Sequence, residues 1–264
     1  MKTRVHGLYE SLRHYAPLTV YMTLALMKKE AAGTFGGFLW WIAEPVFYFF
    51  VYYFVFTVVF HTRTENYIAF LLVGLVVWRW FTVVVNYGTL SIIKNRAIIR
   101  QVDVPKILFP LQAVLMETYK FLAGLAVLTV FLAATGSFAF GTACLFPVVF
   151  ALALALFSGI VLVTSAIAPF FPDVANLVRM SFRGLLFVSG VFYDGSRIPE
   201  KYRELFYLNP LASLLDLFRD VLIYGRVPAA EKFAAVLFAA TVFLVAGLWM
   251  HVRLNRVIPR YLMD

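Results

Sequence analysis

The chain has 264 residues, 62% of them hydrophobic and 14% charged, and a mean hydropathy of +0.85. Soluble domains are roughly 45–50% apolar, so these proportions exclude an ordinary soluble domain and indicate a protein that uses lipid as solvent. The net charge of +9 argues for membrane orientation rather than nucleic-acid binding, because the basic residues flank hydrophobic runs, and the single cysteine, Cys144, excludes an internal disulfide framework.

Residues 1–35 do not read as spanning. The stretch "YAPLTVYMTLALMKKEAAG" mixes apolar and basic residues and breaks at Gly33, Gly36 and Gly37, as expected of an amphipathic helix lying at the inner interface. This polar beginning argues against a cleavable signal peptide. A bilayer crossing needs about 20 mostly apolar residues. Six stretches qualify, at 38–60, 67–90, 107–135, 142–169, 177–195 and 232–252. Each is expected to be helical, since an open strand edge in hydrocarbon leaves backbone groups unpaired. The fifth is the weakest, with Arg183 near its start and Gly184 and Gly190 within it.

Between the second and third spans lies "SIIKNRAIIRQVDVPK" (91–106), a short basic helix stopped near Pro105. It carries Lys94, Arg96, Arg100 and Lys106 beside Ile92, Ile93, Ile98 and Ile99. The long segment 196–231 holds two further amphipathic pieces split at Asn209-Pro210. In the second, 211–224, Leu211, Leu214, Leu215, Phe218 and Leu222 recur at helical spacing, away from Asp216, Arg219 and Asp220. Both pieces are too short and too charged to span, and a dip into the outer leaflet is expected. With the N-terminus inside, the inner segments carry Lys2, Arg4, Arg13, Lys28, Lys29, the four basic residues of 91–106, Arg179, Arg183, Arg253, Arg256 and Arg260. The short outer loops 61–66 and 136–141 carry Arg63 alone, so both termini are expected in the cytoplasm.

The chain has no Gly-x-x-x-x-Gly-Lys-[Ser/Thr] loop to cradle phosphate and no His-Glu-x-x-His or paired-cysteine motif. Its four histidines, His6, His14, His61 and His251, are scattered and read as interfacial structure. Charges inside apolar runs say more, because they are costly there and face protein or water. Glu44, Tyr48 and Tyr52 fall four apart as one polar stripe, with Trp41 on the same side. Arg79, Thr82 and Asn86 form a second, flanked by Trp78 and Trp80. Glu117 and Lys120 can pair within one helix, which favours a structural ion pair. Arg79 either snorkels to an interface or faces a pore, and Glu44 reaches either headgroups or polar protein. Aromatic faces with polar edges also suit sugar rings, which stack their C–H face on π-systems.

Five segments in order carry a resemblance. "GTFGGFLWWIAEP" (33–45), "YIAFLLVGLVVWRWF" (67–81), "VDVPKILFPL" (102–111), "FFPDVANLV" (170–178) and "IPEKYRELFYLNPLASLLDLFRDVLIYG" (198–225) are similar to those of the membrane subunits of ABC-2 type exporters. More narrowly, they resemble the permeases for lipid-linked polysaccharides such as O-antigen, capsule or teichoic acid. The chain departs at Pro172, where many relatives have arginine before the aspartate.

The resemblance implies an all-α integral membrane protein with an interface or gate helix at 1–37 and a six-helix transmembrane domain at 38–264. It implies a bacterial inner-membrane location, and a dimer of permeases with two ATPase subunits that bind ATP and Mg, this chain holding no cofactor itself. The 91–104 segment becomes a coupling helix seated in the ATPase through Asn95, Arg96, Ile99 and Arg100. The first, second and fifth spans line the channel, with Glu44, Tyr48, Tyr52, Trp78, Arg79, Phe187 and Tyr193 as its residues. The pieces around 198–207 and 211–224 close the outer side, with Ile198, Pro199, Asn209, Pro210 and Arg219 as gate residues. Movement of the coupling helices on ATP binding would open the path. Two rivals stay open. One is an ABC-2 exporter of a small molecule. The other is a membrane-embedded glycosyl- or acyltransferase using Asp194, Glu200, Glu204, Asp216 or Asp220, although these acids interleave with basic residues as on a solvated face.

Overall fold

The computed structural model describes residues 2–33, 36–55, 66–102, 104–255 and 257–261, with side chains from Tyr15 on apart from Ala16, Pro259 and Arg260. His61 and Arg63 of the expected outer loop lie outside the described residues, as does Arg256. For His6, His14, Lys2, Arg4, Arg13 and Arg260 only the backbone is described.

Among the described residues the regular structure is helical throughout. Helices α1 (Lys2–Ala32) and α2 (Leu39–Tyr53) precede α3 (Tyr67–Lys94), α4 (Arg96–Gln101), α5 (Leu108–Ala134) and α6 (Phe146–Ile167). Then come α7 (Val174–Val188), α8 (Glu200–Tyr207), α9 (Pro210–Arg219), α10 (Ala230–Leu254) and α11 (Ile258–Tyr261). Among the described residues four stretches are long and apolar enough to cross a membrane: Tyr67–Gln101, Leu108–Ala134, Phe140–Ile167 and Ala230–Leu254. They coincide with the second, third, fourth and sixth expected spans. Helix α2 is described over 15 residues before the chain enters 56–65.

The fifth expected span, 177–195, comes out differently. Helix α7 starts at Val174 and stops at Val188, 15 residues in all. That makes about 22 Å, short of a hydrocarbon core of about 30 Å. The apolar run continues beyond it, but Gly190 turns the backbone to φ +69° and ends the helix there.

Local chemistry explains the other boundaries. Asn95 interrupts the run between α3 and α4, with φ −99° and ψ 17°. Pro147 sits in the first turn of α6, where its missing N–H costs nothing. Pro210 does the same for α9, whose N-cap Asn209 accepts the Leu211 N–H at 3.0 Å.

Helix α3 is the hub. It packs on α5, α6, α7 and α9, while α6 and α10 lie together along their length and α1 rests on α5. Leu71, Val73, Val84 and Ile92 on α3 are fully buried. Trp80 lies against Phe121 and Phe150, ring centroids 4.2 and 5.2 Å away and nearly parallel. Its Nε1–H donates to the Thr118 hydroxyl at 3.3 Å, so the one polar atom of the ring is satisfied inside the apolar stack. Helix α2 crosses α5 where Pro45 lies against Gly124.

The α6–α10 seam depends on small residues. In lipid no hydrophobic drive separates helix from solvent, so close backbone approach and dispersion contacts hold such pairs together. A Cβ added at Gly247 would stand 2.5 Å from Leu162 Cβ, and one at Gly159 would stand 2.7 Å from the Leu244 nitrogen. Gly247→Val is therefore expected to pry the seam apart at a cost of about 1–3 kcal/mol. In detergent this reads as a lower midpoint of thermal unfolding. Gly184→Ala, at a helical position with nothing within 4 Å, is expected not to lower that midpoint.

Candidate functional site

Helices α2, α3 and α5, with the end of α1, surround a cavity of about 680 Å³. The Glu44–Tyr48–Tyr52 stripe and, from the second stripe, Arg79 and Thr82 line it, while Asn86 does not. Glu44 of α2 forms an ion pair with Arg79 of α3. The Arg79 guanidinium lies 5.0 Å above the Tyr48 ring, and Tyr48 stacks on Tyr52 at 6.3 Å. Arg79 thus reaches across to protein. The pair is well exposed, with side chains 42% and 49% accessible. Its own contribution is accordingly at most about 1 kcal/mol.

A second ion group lies on α5. Glu117 is buried, and the Lys120 ammonium stands 3.1 Å from it. Lys120 also reaches Glu30 of α1, at 2.7 Å. The intrahelical pair is therefore a three-member bridge that ties α1 to α5. Lys120 sits 5.8 Å from the Trp41 ring and 5.9 Å from that of Tyr87. The wall combines carboxylates that accept hydrogen bonds, cations that donate them, and aromatic faces. Hydroxyl-rich rings can use all three at once.

Not all the expected channel residues gather here. Trp78 lines the cavity but is mostly buried, its ring 5.5 Å from Phe81. Phe187 lies elsewhere, exposed on α7. Tyr193 donates its hydroxyl to the Phe187 carbonyl at 2.6 Å and lines a separate open depression with Ile198, Pro199 and Tyr202.

Among the expected gate residues, Arg219 is 1% exposed. It donates to the carbonyls of Gly190 at 2.9 Å, Val191 at 3.0 Å and Phe70 at 3.3 Å. It also pairs with Asp216 at 3.6 Å and lies 3.5 Å over the Phe70 ring. Burial lowers the guanidinium to about 10 while Asp216 pulls it back up, so it stays charged at neutral pH. Asp216 accepts from the Tyr207 hydroxyl at 2.8 Å and from Lys232 of α10 at 2.7 Å. Asn209 adds a bond to the Ser189 hydroxyl at 2.8 Å. Gly74 leaves room for the arginine, since a Cβ there would stand 2.5 Å from Nη2.

The short helix α4 shows Arg96, Ile98 and Arg100 at the surface. Asn95 is half-buried, its Nδ2 donating to the Ser91 carbonyl at 2.8 Å. Ile99 differs from the expectation that it projects outward with them. It is 5% exposed and packs inward with Ile92, Phe109 and Ile258, because one residue of a helix turns about 100° from the next.

The sequence reading missed Glu30, Asp216 with Lys232, and Gly74. No local spacing links Glu30 to Lys120, but Asp216 and Arg219 stand three apart on one amphipathic helix, a signal that was available.

Residues 21–223 match the family described as ABC-2 type transporter. The chain is 30% identical over 242 residues to the O-antigen export system permease protein RfbA of Myxococcus xanthus, covering 91% of this chain and 93% of that one. It is 29% identical over 244 residues to a protein of the same name from Klebsiella pneumoniae, covering 90% and 92%. The polysialic acid transport protein KpsM of Escherichia coli is 24% identical over 234 residues, covering 86% and 91%.

Arg219→Met removes one partner of a buried ion pair and orphans carbonyls on two elements. A loss of about 3–5 kcal/mol is expected, measured by unfolding in detergent. Arg219→Lys is expected to recover little of it, since one ammonium cannot fork to three carbonyls.

Proposed function

The chain belongs to the ABC-2 type transporter family, and from that premise we propose that it is the membrane-spanning permease subunit of an ATP-driven exporter of lipid-linked polysaccharide. The observation that carries the reading is the ion-paired, tyrosine-walled cavity between α2, α3 and α5. Relatives alike over nearly their whole length are named for O-antigen export and polysialic acid transport, which supports a glycan cargo. The chain is a transport subunit and performs no covalent chemistry on the cargo.

In this reading α2, and α7 together with the chain that continues past the turn at Gly190, join the four long apolar helices to make six spans, with both termini on the cytoplasmic side of the inner membrane. Residues 1–37 form the interface or gate helix and 38–264 the transmembrane domain. Two copies enclose the path, and each seats a separate ATPase that binds ATP and Mg. Arg96, Ile98 and Arg100 on the open side of α4 make the seat, with Asn95 at its edge, while Ile99 anchors it from behind. Glu44, Tyr48, Tyr52 and Arg79 hold passing sugar rings, with Phe187 and Tyr193 further along the route. The α8–α9 region, including Ile198, Pro199, Asn209 and Pro210, closes the outer end, and Arg219 keeps that closure in one piece. ATP binding shifts the balance between closed and open arrangements only so far as the seat differs between them.

Two substitutions test this in the host. Tyr48→Leu with Tyr52→Leu is expected to reduce glycan at the cell surface, with lipid-linked polymer accumulating inside and the permease–ATPase complex still assembled. Arg96→Ala with Arg100→Ala is expected to stop export by loosening the ATPase, read as its loss on co-purification. Normal surface glycan in both variants would overturn the proposal.

A further inference from the structure

A helix of six residues is not stable alone, since nucleation consumes its first turn. Helix α4 therefore needs an outside support, and the end of the chain supplies it. Ile258 of α11 is fully buried in one small apolar cluster with Ile92, Ile99 and Phe109. Met22, Val104, Phe170 and Leu254 close around that cluster. Just before α11, the Asn255 side chain accepts the Lys106 N–H at 3.1 Å, which pins the link from α4 into α5. Tyr261 meets Phe170, in the turn after α6, edge to face at 4.7 Å. Asn255 and Ile258 directly follow α10, which is fused to α6 through Gly159 and Gly247.

We propose that Asn255 and Ile258 are positioning residues, a brace through which motion of α4 is delivered to the α6–α10 pair as well as to α3 and α5. The inference rests on the reading of α4 as the ATPase seat. The cluster and the hydrogen bond hold α4 on two sides, one through Ile99 and one through the chain beyond it. Neither residue lies on the exposed face of α4 that carries Arg96, Ile98 and Arg100, so the brace is separable from the seat. Without it, α4 remains able to bind its partner but keeps only its contacts with Ile92 of α3 and Phe109 of α5. Hydrolysis then proceeds while less of each stroke reaches the spans.

The test compares Ile258→Ser, Ile258→Val, Asn255→Ala and the Arg96→Ala/Arg100→Ala pair. ATP hydrolysis is measured on each purified permease–ATPase complex and surface glycan in the host expressing it. I258S is expected to retain the ATPase and its hydrolysis yet lose most surface glycan, with I258V restoring it. N255A, which opens no cavity, is expected to shift the ratio of glycan to ATP in the same direction by less, and it decides the matter if I258S fails to fold. A wild-type ratio in N255A and in any folded I258S complex would overturn the brace. The arginine pair should instead lose the ATPase. Retention of the ATPase with normal glycan there removes the seat, and the brace with it.

Discussion

The Arg219 guanidinium decides how the α8–α9 end of the molecule is built. A charge buried to 1% exposure is tolerated only where its donors are nearly all satisfied, and Arg219 spends them on the turn after α7, the first turns of α3, and Asp216. Asp216 in turn draws in Tyr207 and Lys232. Five helices are thereby tied to a single group: α3, α7, α8, α9 and α10. Other features around it follow from that constraint. Gly74 has no side chain because the arginine occupies the space, and the turn at Gly190 that ends α7 is fastened by its two exit carbonyls.

The face formed by α1, α2 and α5 is held differently. Glu44–Arg79 joins two helices through side chains that keep substantial exposure, so water competes for it, while Glu30 is exposed on one side of its bridge to the largely buried Lys120. Strong, fully desolvated contacts keep one end as a unit, and more exposed ion pairs join helices at the other. The aromatic cluster around Trp80 lies between the two regimes and binds α3 to α5 and α6.

Much of this was legible in the chain. The four long helices follow from hydropathy, because a bilayer demands length and apolarity together. The Glu44–Tyr48–Tyr52 stripe follows from a spacing of four, and it does face the cavity. Contacts between distant segments were not legible. Glu30 meets Lys120 across 90 positions, and Lys232 meets Asp216 from another helix. Adjacent isoleucines were ambiguous for a geometric reason. Ile98 and Ile99 are chemically alike, and only the cluster beneath α4 determines which one faces inward. The weakness of the fifth span at Gly190 was visible, but not that the helix ends there, because hydropathy does not register a backbone turn.

Pro45 has one more effect. Lacking an N–H, it leaves the Trp41 carbonyl without its usual helical partner, so one rung of the α2 ladder is open at the level of Glu44. Elsewhere α2 is an unbroken rod wedged at that point on Gly124. Mechanically, the helix is most compliant where its only acid meets Arg79, and a torque on either end is taken up there first, as rotation about a fulcrum.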